Sequence, residues 1–89
     1  MDNRIKIMLA DADGEARSML QDALEKTGRF AVIASTGDGN EALRLAGEAK
    51  PDILVLDLIL PGLDGLSVLS RLEGEQLPLV LVTSSFVTQ

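Results

Sequence analysis

The run Ile53-Leu54-Val55-Leu56-Asp57-Leu58-Ile59-Leu60 constrains this chain more than any other stretch. Its first four residues are all apolar and show no helical period, which reads as a strand buried on both faces. Strands of that kind belong to parallel sheets with helices above and below. Ile5 to Ala10, Phe30 to Ala34 and Leu79 to Val82 read as strands too. The segments between them carry helical periods. Ala16, Met19, Leu20, Ala23 and Leu24 recur at three and four residues, with Asp13 or Gly14 placed to cap the start and Gly28 just past the end. Asp38 and Glu41 have the spacing of a capping box, opening a helix that turns Ala42, Leu45, Ala46 and Ala49 inward and stops before Pro51. Leu66, Leu69 and Leu72 mark a third helix ending near Gly74. The order β-α-β-α-β-α-β predicts a doubly wound parallel α/β sheet. Neither a repeat nor a linker interrupts it, so residues 1–89 read as one domain, of a length that supplies one core.

Composition narrows the chemistry. The chain has no Cys and no His, which excludes disulfides, thiol catalysis, zinc fingers and a histidine base; any metal site must be built from oxygen. With 8 basic and 14 acidic side chains, two Phe and no Tyr or Trp, it is poorly suited to nucleic acid. Asp2, Lys6 and Asp11 break up the N-terminal segment, so no signal-peptide core is present, and no apolar run is long enough to span a bilayer. The expectation is a soluble, cytoplasmic protein without a membrane partner. No base with a tuned environment and no room for a second substrate pocket are visible, so the chain does not read as an autonomous enzyme.

In a doubly wound sheet, ligands bind outside the carboxyl ends of the strands, near the point where strand order reverses. Asp11 leaves the first strand and Asp57 the third, so both face that rim. Asp57 interrupts an apolar run, and no Lys or Arg stands close to it in sequence. A charge so placed needs a partner. One reading is a strand-end carboxylate that caps the following turn. The other is a pair with Asp11. Two carboxylates about 5 Å apart repel by roughly 3 kcal/mol at an effective dielectric of 20. Mg²⁺ relieves this, since it takes one or two carboxylates with waters and a phosphate. A carboxylate beside Mg²⁺ is also a competent nucleophile toward phosphorus, giving an aspartyl phosphate.

Three stretches resemble the response-regulator receiver domains of two-component signalling. They are Ile5-Lys6-Ile7-Met8-Leu9-Ala10-Asp11, Pro51 through Gly65, and Leu79-Val80-Leu81-Val82-Thr83. The middle one is the most specific: an apolar strand, Asp57, three residues, then Pro61-Gly62-Leu63-Asp64-Gly65. Gly39-Asn40-Glu41-Ala42-Leu43 resembles the start of the family's second helix. The resemblance implies a flavodoxin-like receiver fold. By position it implies Asp57 as phospho-acceptor, Asp11 and Asp57 with the Ile59 backbone carbonyl as Mg²⁺ ligands, and Thr83 as the switch hydroxyl. Pro61 and Gly62 would shape the loop of the site. The implied partner is a histidine kinase or phosphotransfer protein in a phosphorelay.

Two departures change the expectation. The second acid of the family's pair is Ala12 here; Asp13, one residue later, either bends back to serve as a further Mg²⁺ ligand or caps the first helix, and its position favours the cap. The resemblance also covers about three quarters of a receiver. The last helix-strand-helix, with the Lys that contacts the phosphoryl oxygens, lies outside this sequence, so the chain reads as truncated. The metal oxygen missing at Ala12 should cost at least the roughly 10–100-fold in metal affinity that loss of a ligand's supporting partner costs. The expectation is therefore weak Mg²⁺ binding and little phosphorylation of Asp57, with function through protein association; the alternative is an ordinary phosphorylatable receiver. Without a fifth strand, Leu79, Val80, Leu81 and Val82 would form an open sheet edge. The expectation there is a homodimer through that strand, with Phe86 and Val87 covering part of the exposed face.

Overall fold

The computed structural model describes residues 2–74 and 77–84. Seven elements alternate: β1 (Ile5–Ala10), α1 (Gly14–Lys26), β2 (Phe30–Thr36), α2 (Gly39–Ala49), β3 (Ile53–Asp57), α3 (Gly65–Arg71) and β4 (Leu79–Thr83). The strands are parallel, in the order β2-β1-β3-β4. The chain steps from β1 out to β2, returns past β1 to β3 and continues to β4, so the order reverses between β1 and β3. This is the doubly wound α/β sheet expected from the alternation.

Side chains alternate across each strand. Met8, Ala10, Leu54 and Leu56 point to one face, where they form the core with Ala42 and Ala46 of α2, Leu60, and Val68 of α3. Fully burying a Leu-sized side chain contributes about 1.5–3 kcal/mol, so this layer dominates the fold's stability. The opposite face is covered unevenly. Ile7 and Leu9 are buried, but Ile53 and Val55 are half-buried, and Leu79 and Leu81 are 62% and 50% exposed. The expected burial of β3 on both faces therefore holds fully on one. The reason is the position of α1, which packs on β2 and buries none of its own residues; Met19 of its apolar stripe is 66% exposed.

The third helix is phased differently from the expectation. Its inward residues are Gly65 and Val68, with Leu72 half-buried behind them, while Leu66 and Leu69 are 62% and 38% exposed. The close fit of Gly65 against the end of β3 sets the helix rotation, and the leucine spacing follows. The helix also stops earlier, with Leu72 as its C-cap. Lys50 ends α2 at φ 49, left-handed, because Pro51 disfavours a helical residue before it. Phe86 and Val87 lie outside the described residues.

Candidate functional site

Ala10 pairs with Leu56 across β1 and β3, which sets Asp11 beside Asp57 where the strand order reverses. Neighbouring strands lie about 4.8 Å apart, so the two carboxylates leave the sheet as neighbours. Asp57 is the last residue of β3 and is 1% exposed. Its Oδ1 accepts the Ile59 N–H at 3.0 Å, so the turn-capping role read from the sequence forms at this candidate site carboxylate. Asp11 is half-buried, and its Oδ1 accepts the Asp13 N–H at 2.9 Å. Thr83 pairs with Asp57 across β3 and β4, and its carbonyl accepts the Leu58 N–H at 3.1 Å.

Asp13 is the N-cap of α1. Its Oδ1 accepts the N–H groups of Glu15 and Ala16 at 3.0 and 3.2 Å. Ala12 is exposed and brings no side-chain oxygen. Among the described residues no cluster of three or more acidic side chains is arranged to hold a metal ion. The candidate donors are therefore Asp11 and Asp57, which the register places side by side, with the Ile59 carbonyl implied by the resemblance alone; two carboxylates lie within the one or two that Mg²⁺ ordinarily takes.

The segment leaving Asp57 explains its own composition. Gly62 adopts φ +81, a conformation that glycine takes without strain. Asp64 caps α3 by accepting the Ser67 N–H and hydroxyl, both at 2.9 Å. The Ser67 amide, and then its hydroxyl, hold the Asp64 carboxyl below its ordinary pKa. Gly65 donates to the Leu58 carbonyl at 2.9 Å, and a Cβ there would collide with the Asp57 carbonyl oxygen. Asp38 caps α2 by accepting the Glu41 N–H at 2.9 Å. Its own N–H goes to Thr36 Oγ1 rather than to Glu41, so only half of the expected capping box forms. All three helices thus begin with an aspartate at the same rim.

Sequence reasoning passed over Arg17. Its guanidinium donates to the Asp11 carbonyl and fills the space where a side chain at Gly37 would stand. The available signal was a single cation in the first turn of a helix entered from an acidic loop. A cavity of about 240 Å³ lies elsewhere, between α2 and the C-terminal end of α3, lined by Leu43, Gly47, Leu72 and Pro78 among others.

Residues 7–88 match the family model described as "Response regulator receiver domain". A protein-glutamate methylesterase/protein-glutamine glutaminase from Syntrophomonas wolfei is 35% identical over 82 residues, covering 91% of this chain and 23% of that protein. The alkaline phosphatase synthesis transcriptional regulatory protein PhoP of Bacillus subtilis is 40% identical over 81 residues, covering 89% of this chain and 33% of PhoP. The chain thus spans about a quarter to a third of these relatives. The signal receiver domain of the response regulator NarL from Mycobacterium tuberculosis superposes with a TM-score of 0.86 at 29% identity. That likeness covers 97% of this chain and 70% of the other.

Proposed function

This chain belongs to the receiver domains of response regulators, and from that premise we propose that it is a docking module of two-component signalling whose Asp57 is phosphorylated weakly or not at all. The observation that carries the reading is the acidic pair. Ala12 offers no ligand, and the carboxylate of Asp13 is committed to capping α1. The site thus has one acid fewer than the pair the resemblance implies, which weakens its hold on Mg²⁺ by about tenfold or more, and a loosely held cation does little for phosphoryl transfer. The chain itself is non-catalytic in this reading and works in the cytoplasm by association. Its partners are a histidine kinase or phosphotransfer protein and a second copy of itself along β4, where Leu79, Leu81 and Val82 are exposed on the outer strand. No helix among the described residues is long and apolar enough to cross a membrane.

A second reading draws on the adjacency of Asp11, Asp57 and Thr83. It is a Mg²⁺-dependent receiver that accepts a phosphoryl group from a histidine kinase on Asp57. Intact mass after incubation with acetyl phosphate and Mg²⁺ separates the two. Little or no gain of a phosphoryl group is expected. Substantial single phosphorylation that Asp57→Asn abolishes would establish the second reading instead.

A further inference from the structure

Helix α2 holds two glycines with opposite surroundings. A Cβ built on Gly47 meets nothing within 4 Å, whereas one built on Gly39 collides with the backbone carbonyl of Leu63. Gly39 is buried, and its N–H donates to the Pro61 carbonyl at 2.9 Å. On the other side of this contact, a Cβ on Gly62 would run into the Asp38 carboxylate. The first turn of α2 therefore meets residues 61–63 backbone to backbone. Those residues follow directly on Asp57 and Ile59. The turn is also anchored from behind, since the Asp38 N–H donates to Thr36 Oγ1 at 3.1 Å and Thr36 is buried at the end of β2. An atom added at Gly39 thus displaces the 61–63 segment.

We infer that Gly39 is a positioning residue for the Asp57 site, fixing the path by which the chain leaves Asp57 and hence where the Ile59 carbonyl stands. The inference rests on the reading of Asp11, Asp57 and that carbonyl as Mg²⁺ ligands. Gly39 touches neither metal nor phosphoryl group; it acts through Pro61 and Leu63.

The test compares Gly39→Ala with Gly47→Ala in the full chain. The first readout is metal-free amide exchange at Ile59, bonded to Asp57, and Gly65, bonded to Leu58. Both amides should exchange faster in Gly39→Ala, on the order of tenfold, with β1 and β2 unchanged, and neither should move in Gly47→Ala. The second readout is Mg²⁺ affinity from amide shifts, which should weaken by about tenfold or more in Gly39→Ala only. A folded Gly39→Ala with unchanged exchange or unchanged Mg²⁺ affinity overturns the inference. Should Gly39→Ala fail to fold, Thr36→Val removes the anchor of Asp38 more gently, and it must speed the same two amides; parental rates there also overturn it. A parent that takes up no Mg²⁺ strikes the metal reading alone, and the exchange comparison still decides the coupling.

Discussion

Asp13 stands one position past Ala12, and that single step changes what a carboxylate can do there. At the strand end it would face Asp57; one residue on, it faces the open N–H groups of α1 and accepts two of them. Removing a capping aspartate costs about 1 kcal/mol, so Asp13→Ala should lower stability by that amount in denaturant unfolding. Mg²⁺ affinity should be unmoved by the same change, and a parallel loss of affinity would identify Asp13 as a ligand. Ala12→Asp is the converse. The site is exposed and tolerates the larger side chain, and the added oxygen should raise Mg²⁺ affinity by roughly 10-fold or more in a titration.

At the level of elements, the helices differ in what their small and polar residues do. Gly47 sits inside α2 with open space around it, so Gly47→Ala should stabilise the protein by about 0.5–1 kcal/mol, read from the denaturation midpoint. The cap of α3 titrates. Because Ser67 holds the Asp64 carboxyl low in the folded state, its contribution is fully present above the unfolded value of about 4 and is lost as pH falls through the lower folded value. Asp64→Asn keeps a capping side chain without the charge. Its stability deficit against the parent should therefore be present near neutral pH and shrink on acidification; a constant gap would contradict the assignment. The elements themselves were legible in the sequence because apolar runs and helical periods are local signals. Asp11 and Asp57 were legible because strand ends in this topology share a rim. The phase of α3 was not, since Leu66 and Leu69 match a helical period as well as Val68 does, and only the approach of Gly65 to Asp57 chooses between them. Arg17 and Gly39 were missed for a related reason: each acts on a loop distant in sequence, and nothing in its own neighbourhood announces it.

For the whole molecule, the sheet ends among the described residues in a strand whose outer residues are exposed and uncharged, an edge open to a further strand. Light scattering at micromolar concentration should report a dimer, and Leu81→Lys or Val82→Lys should shift it toward monomer. These positions are half exposed, whereas Val80 packs against the core and would confound the result. A well-folded monomer in the parent would exclude that mode of association. The aspartates that open all three helices have a further consequence. With Asp11, Glu15, Glu41 and Asp57 they place seven of the fourteen acidic side chains at one end, where Arg17 stands in the first turn of α1, while the other described residues hold six acids and seven bases. The negative charge of the described residues is thus concentrated on that end. Such a lopsided field turns the molecule as it diffuses, bringing the Asp57 end first toward any basic surface. The orienting pull fades over a Debye length of about 8 Å at physiological salt, so encounter rates with a cationic partner should fall steeply as salt is raised while complex lifetimes change little.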